Sequence, residues 1–143
     1  MTTWATKRLD ELIAGAEPPP VVRTLQLGIL DAWGEGWVRK TWVSDPALLN
    51  GDGSMFGGYV AALADQVLAF AAMTVVPDGM IFRTANLTVN FFQVARGETL
   101  TIEARVVSRS RQLIHARAEF KGSDGKLFAE ASAQQVLTAM GGG

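Results

Sequence analysis

Cysteine is absent from this sequence of 143 residues, and histidine occurs once, as His115. The lack of cysteine excludes disulfides, thiolate nucleophiles and cysteine-ligated zinc, and it is compatible with a reducing compartment. A single histidine and scattered carboxylates do not make a metal-ligand set. No carboxylate is patterned with His115, so Ser-His-Asp catalysis is unsupported and we expect His115 to be structural or at the surface.

An excess of charge of either sign is also lacking. The 13 Lys and Arg residues are balanced by 14 Asp and Glu residues, so net charge does not point to nucleic acid or to an anionic membrane. The N-terminus lacks the apolar core of a signal peptide, and no phosphate-binding or dinucleotide-binding glycine motif occurs. We therefore expect one cytoplasmic domain over residues 1–143, with no cofactor and neither nucleic acid nor membrane as partner.

Apolar residues are concentrated in one stretch, residues 57–76. It opens with Gly57 and Gly58 and predicts a helix that is apolar almost all the way round, which must be buried in protein or in lipid. A membrane span is disfavoured because Asp65 would lie near the midplane, at a cost of roughly 2.5–3.5 kcal/mol. We expect a helix wrapped by a sheet, in which a buried Asp65 is paired or used.

The flanking segments supply that sheet. Residues 3–16 predict an amphipathic helix, ended by the three prolines at 18–20, within an N-terminal helical region 1–17. Alternating apolar residues predict six strands, at residues 21–31, 35–44, 82–93, 99–109, 113–120 and 126–137. Residues 46–50 predict one helical turn, and residues 139–143 a flexible tail. This order of elements predicts an α+β domain with one antiparallel sheet curled over the long helix.

The glycine pair at the start of the long helix has two interpretations. The glycines serve a tight turn or close packing, or they expose a backbone N–H at the helix N-terminus that is free to donate to an anion. A free N–H there is suited to an oxyanion hole. Asn50 and Gly53 let the preceding loop bend back over this position.

Asp65 lies eight residues beyond Gly57, roughly 12 Å along the helix axis. A base or nucleophile must lie about 3 Å from the atom that it attacks, so Gly57 and Asp65 of one chain cannot share a reacting carbonyl. If both act, they come from two copies of the helix, paired antiparallel across a two-fold axis. The alternative for Asp65 is a buried carboxylate that bonds polar neighbours.

Basic residues are unevenly placed, with eight of them between residues 81 and 126. They form either a solvated sheet face or a rim that holds the phosphates of a nucleotide-tailed ligand. The residues are Arg83, Arg96, Arg105, Arg109, Arg111, Arg117, Lys121 and Lys126.

The motif Asn50-x-x-Gly53-x-x-Phe56-Gly57-Gly58, followed after six residues by Asp65, resembles the hotdog-fold acyl-CoA thioesterases of the PaaI type. The segment that begins at Thr84, with its following Gly-Glu turn, is similar to the strand after the helix in that family. The resemblance implies a curved antiparallel sheet of five or six strands around one long helix. It also implies homodimers, or dimers of dimers, that act on acyl-CoA.

By the same resemblance, the Gly57 N–H polarises the thioester carbonyl and Asp65 of the partner chain attacks it or activates water. Asn50 positions that water or the thioester, and Thr84 orients the water. The expected substrate contacts are Phe56, Gly58, Tyr59, Arg83, Arg109 and Arg111. Leu63, Phe70, Phe91 and Phe92, with Phe56 and Tyr59, either line an acyl tunnel or fill the core.

The sequence departs from the family at one position. Family members often have His-Gly-Gly where this chain has Phe56-Gly-Gly, so the hydrogen bonds of an imidazole are lost. This motivates a second hypothesis, a module that binds an acyl-CoA without cleaving it. A hydratase on the same fold is disfavoured because no histidine lies between residues 50 and 70.

Overall fold

One long helix and six antiparallel strands dominate the computed structural model, which describes residues 2–141. In chain order the helices are α1 (Trp4–Ile13), α2 (Pro20–Thr24) and α3 (Gly57–Met73), with a 3₁₀ turn at Pro46–Leu48. The strands are β1 (Ala32–Gly34), β2 (Trp37–Val43), β3 (Met80–Phe91), β4 (Thr99–Arg109), β5 (Leu113–Lys121) and β6 (Leu127–Ala139).

The strands form a single sheet in the order β1-β2-β4-β5-β6-β3, and every neighbouring pair is antiparallel. Alternate residues of β4, β5 and β6 are buried on the face that packs against α3. Many of these inward residues are alanines, such as Ala104, Ala116 and Ala131, which allow the helix to approach the sheet closely. The predicted α+β hotdog architecture, with its central helix and N-terminal helix, is confirmed.

The prediction of a strand at residues 21–31 is wrong. The segment begins as the helical turn α2, with Pro20 at the first helical position, where its fixed φ suits a helix and its missing N–H costs nothing. Gln26 then takes a positive φ of 53°, which interrupts any extended run. Only residues 32–34 pair with β2, so the predicted hairpin survives with a very short first strand.

The predicted tail at residues 139–143 begins too early. Ala139 is the last residue of β6 and pairs with Met80, and the Met140 N–H donates to Gly79 O at 2.7 Å. Residues 142–143 of the predicted tail lie outside the described residues. In the part of the chain described, no helix is both long and apolar enough to cross a membrane.

The central helix is not buried all the way round. Nine of its residues are buried, among them Leu63, Val67 and Leu68, but one stripe of its surface is not, and Asp65 lies exposed on that stripe. The prediction of a buried carboxylate is therefore wrong. The exposure of this stripe was not predicted because the stripe is composed mainly of small apolar residues, such as Gly58 and Ala62, rather than of charged ones.

Candidate active site

Asp65 on α3 and Thr84 on β3 meet at the open side of the central helix. The Thr84 hydroxyl donates to Asp65 Oδ1 at 3.0 Å, and both residues are exposed in a single protomer. Thr84 is placed by a bulge, because the register between β3 and β6 shifts between Thr84 and Asn86. Bulges of this kind re-aim side chains beside active sites. A carboxylate held by one hydrogen bond and open to solvent is able to act as a nucleophile or a base.

The same two residues line a cavity of about 320 Å³, within the size range of small-molecule sites, ~300–1,000 Å³. Its walls are mostly apolar. They are formed by α3 and by the N-terminal segment that contains α1 and α2. The apolar lining is Leu12, Pro18, Pro19, Val21, Val22, Leu25, Leu27, Ile29, Ala62, Ala69, Phe70 and Met73. Besides Asp65, the charged lining residue is Arg8, which donates to Glu17 O at 2.8 Å.

A buried lysine holds the N-terminal wall of this cavity in place. Lys40 points inward from β2 with 1% of its surface exposed, and its ammonium donates to Leu27 O and, at 2.7 Å, to Gln66 Oε1. Gln66 Nε2 in turn donates to Gly28 O at 2.6 Å. Burial lowers the pKa of Lys40 to about 8, partly opposed by the nearby carboxylate of Asp31.

Sequence reasoning missed Lys40 and Gln66. The signal for Lys40 was available, because it stands between Val38 and Trp42 in the alternating inward row of β2. A charged residue at an inward strand position is uncommon unless it is paired. Tyr59 makes a similar contact, since its hydroxyl donates to Gln26 O at 2.7 Å and burial raises its pKa.

The loop before α3 is braced by its own side chains. Asn50 Nδ2 donates to Ser54 Oγ at 3.1 Å and to Met55 O at 3.3 Å. Asp52 Oδ1 accepts from the Ser54 hydroxyl at 2.6 Å and from its N–H at 3.0 Å, and these two bonds are the main reason that the pKa of Asp52 is lowered. The loop is therefore held by hydrogen bonds although Phe56 stands where an imidazole is often found.

The loop delivers Gly57 as the first residue of α3. Phe56, at the N-cap, offers no side-chain hydrogen bond to the helix, and the Gly57 N–H has no acceptor among residues 2–141. The first N–H groups of a helix have no intrahelical partner, so this one is free to donate to an anion. A Cβ at Gly58 would lie 2.5 Å from the ring of Phe56, so a side chain there would displace that half-exposed ring.

Asp65 and the residues that flank Gly57 line different cavities of one protomer. Asn50, Phe56, Gly58 and Tyr59 line a second cavity of about 390 Å³, whereas Asp65 lines the first. Both cavities reach Leu25 and Ala62, so they adjoin along the uncovered stripe of α3.

The predicted phosphate contacts are spread over the protomer. Arg83 is exposed on β3, Arg109 lies 3.9 Å from Glu35, and Arg111 lines a third cavity beside Met80. The structure does not bring Arg109 or Arg111 to the cavity of Asp65.

The apolar candidates divide into three groups. Phe70 lines the cavity of Asp65, and Tyr59 and Leu63 are part of the core. Phe56, Phe91 and Phe92 are half exposed. Neither a tunnel nor a core describes the whole predicted set.

Solved structures and a curated protein resemble this chain. A family model described as the thioesterase superfamily matches residues 52–129, more than half of the chain. A protein of Saccharolobus solfataricus, whose name proposes an esterase, is 35% identical over 79 residues, which cover 55% of this chain and 56% of that protein. The match therefore spans little more than half the length of that relative.

Two solved structures extend the likeness. The crystal structure of a proposed thioesterase from Ralstonia eutropha JMP134, a phenylacetic acid degradation-related protein, has a TM-score of 0.78 at 30% identity and covers 90% of this chain and 98% of that one. A Streptococcus mutans UA159 protein bound to acetyl CoA has a TM-score of 0.71 at 22% identity, covering 78% of this chain and 88% of that one. The second likeness shows the fold alone.

Proposed function

This chain belongs to the thioesterase superfamily, and from that premise we propose that it hydrolyses acyl-CoA thioesters to the free acid and CoA. The observation that carries the proposal is the Asp65 carboxylate, bonded by Thr84 and open to a mostly apolar cavity. An apolar cavity beside a carboxylate suits an acyl group whose carbonyl carbon lies at the carboxylate.

The chemistry requires one attacking group and one oxyanion donor. In one route an Asp65 oxygen bonds to the thioester carbon, the CoA thiolate leaves, and water hydrolyses the resulting anhydride. In the other route Asp65 takes a proton from water, the hydroxide attacks the same carbon, and the CoA thiolate leaves and takes up that proton. In both routes negative charge develops on the carbonyl oxygen, where the free Gly57 N–H donates to it.

The two groups meet, in this proposal, between two copies of the chain. One protomer places Asp65 in one cavity and the surroundings of Gly57 in another, and an antiparallel pairing of two α3 helices would oppose them. Two features support such pairing: the uncovered stripe of small residues on α3, and β3, which lies at one edge of the sheet with a largely exposed face. An unpaired edge strand is a template for pairing with a second chain.

CoA itself is proposed as the second half of the substrate. The fold supports acyl-CoA binding in the Streptococcus mutans protein, and Arg83, Arg109 and Arg111 are our candidates for phosphate contacts across the dimer. The apolar lining favours an uncharged acyl group, of medium chain length or aromatic.

The test is release of free thiol from a panel of acyl-CoAs, from acetyl-CoA to decanoyl-CoA together with benzoyl-CoA. Asp65→Asn is isosteric and removes the charge, so turnover should fall by at least a hundredfold while size-exclusion chromatography shows the same oligomer. Unchanged turnover in Asp65→Asn would remove Asp65 from the mechanism.

A second candidate function is binding without cleavage. The observation in its favour is Phe56, which stands half exposed at the N-cap of α3 and provides no hydrogen bond. Under this hypothesis hexanoyl-CoA raises the melting temperature of the wild-type protein but no thiol is released. Thiol release that is lost in Asp65→Asn would support hydrolysis and exclude binding without cleavage.

A further inference from the structure

Gln135 is a polar side chain in a row of apolar ones. It lies on β6 at an inward position that follows Ala129, Ala131 and Ala133 along the same face. The side chain is completely buried, and its Nε2 atom has no hydrogen-bond partner within residues 2–141. An unpaired buried donor destabilises the folded state, so a glutamine at this position requires an explanation.

The contact that Gln135 makes leads to Asp65. Its Oε1 lies 2.9 Å from Thr84 Oγ1 on the neighbouring strand β3, and the same hydroxyl lies 3.0 Å from Asp65 Oδ1. The three side chains thus form a continuous path from the core of the sheet to the cavity. Gln135 supports from beneath two residues that are themselves exposed.

The number of available protons decides which group donates in each of these hydrogen bonds. The Thr84 hydroxyl has one proton and cannot donate to oxygens of both Asp65 and Gln135. The two ends of a side-chain amide have the same shape, so half a turn of the Gln135 amide places Nε2 against Thr84 Oγ1. Nε2 then donates to Thr84, and Thr84 donates its one proton to Asp65. The carbonyl becomes the unpaired end, and buried carbonyls without partners are better tolerated than N–H groups.

We propose that Gln135 is a positioning residue for the thioester hydrolysis proposed above, on which this inference rests. By donating to Thr84 it commits the Thr84 proton to Asp65 Oδ1 and leaves Asp65 Oδ2 for the thioester carbon or for water. Removing the donor frees the Thr84 hydroxyl to rotate, and the carboxylate loses part of its fixed orientation.

A kinetic double-mutant cycle tests this role. Gln135→Met keeps the side-chain length and removes the donor, so kcat for hexanoyl-CoA should fall roughly tenfold with KM changed by less than about twofold. The substitution should have no further effect in a Thr84→Val background, which lacks the hydroxyl, and its full effect in Thr84→Ser, which keeps it. Gln134→Met, at the exposed neighbouring position, is the matched control and should leave kcat unchanged. Equal losses of kcat in the wild-type and Thr84→Val backgrounds would overturn the proposal.

A second measurement is independent of turnover and of the stability of any Gln135 variant. In nitrogen-15 spectra of the wild-type protein, one side-chain amide proton of Gln135 should exchange slowly with solvent and should shift in Thr84→Val. Resonances that do not respond to Thr84→Val would show that the Gln135 amide does not bond to Thr84, and would overturn the proposal even if hexanoyl-CoA is hydrolysed. A response in a protein that hydrolyses no acyl-CoA would instead locate the failure in the proposed function.

Discussion

The Lys40 ammonium donates to Gln66 Oε1 at 2.7 Å, one residue beyond Asp65 on the central helix. Because Lys40 also donates to Leu27 O, and Gln66 to Gly28 O, a single buried charge joins β2, α3 and the segment that forms one wall of the cavity. The geometry of the cavity therefore depends on a lysine whose burial lowers its pKa to about 8.

This lysine predicts a dependence of stability on pH. Folded Lys40 releases its proton near pH 8 and unfolded Lys40 near its ordinary value of 10.5, so between these values the unfolded chain binds more protons and raising the pH favours the folded state. From pH 8 to about 9.5 the free energy of unfolding of the wild type should rise by about 1.5 kcal/mol relative to Lys40→Met. Burial of Tyr59 raises its pKa above 10.0, which acts in the opposite direction only at higher pH.

Urea unfolding of both proteins across this range, at one protein concentration, measures the difference. Lys7→Met, at an exposed position of α1, controls for the loss of one positive charge. Parallel profiles for wild type and Lys40→Met would contradict the assignment.

The apolar cavity predicts how acyl-chain preference can be changed. Ala69 lines the cavity from α3, and Ala69→Leu fills part of it. Turnover of decanoyl-CoA should fall at least tenfold while turnover of acetyl-CoA is retained, since one methylene in an apolar pocket is worth roughly 10–200-fold. Ala14→Leu, at the exposed end of α1, is the control and should leave the preference as it is. A uniform loss across the panel would mean that the acyl group binds elsewhere.

The loop before α3 predicts that Asn50 acts together with Ser54. Asn50→Ala removes the bond to Ser54 Oγ and the bond to Met55 O, and should lower the free energy of unfolding by about 1 kcal/mol. Ser54→Ala also removes the bond between Asn50 and Ser54. The double variant should therefore lose less free energy of unfolding than the sum of the losses in the two single variants. Strictly additive losses in urea unfolding would show that the two side chains are not coupled.

The free N–H of Gly57 predicts different results for two substitutions at this residue. Gly57→Pro removes the donor but suits the first position of a helix, and the extended backbone of Phe56 is compatible with a following proline. Gly57→Ala keeps the donor, and its Cβ would meet Phe91 at an ordinary 3.4 Å. We expect kcat to fall roughly a hundredfold or more in Gly57→Pro and to change little in Gly57→Ala, with circular dichroism unchanged in both. Equal activity in both variants would exclude the N–H as oxyanion donor.

The strong patterns of the sequence predicted most of the fold. The glycine pair, the long apolar run and the alternation in β3 to β6 gave elements whose ends agree with the structure to within a few residues. Residues 21–31 do not form the predicted strand. Val21 and Val22 are typical of strands, but Pro20 begins a helical turn and Gln26 takes a positive φ, and apolar periodicity predicts neither feature.

The site was predicted less completely than the fold. Asp65, Thr84 and Gly57 were singled out, and the structure joins the first two by a hydrogen bond. Lys40 and Gln135 were missed because each is a single polar residue in a row of inward-facing apolar residues. The alternating pattern predicts an apolar inward face and does not mark one polar residue within it. The exposure of Asp65 was missed because an open helix face made of Gly and Ala resembles a buried one.

The central claim is that Gly57 of one chain and Asp65 of its partner form one site, and mixing two inactive variants tests it most directly. A dimer of one Asp65→Asn chain and one Gly57→Pro chain keeps one intact site if the groups come from different chains, and none if they come from the same chain. Co-expression of the two variants in equal amounts should therefore restore about a quarter of the wild-type rate of thiol release from hexanoyl-CoA. A mixture as inactive as its two components, with mixed dimers shown by mass spectrometry, would contradict the account.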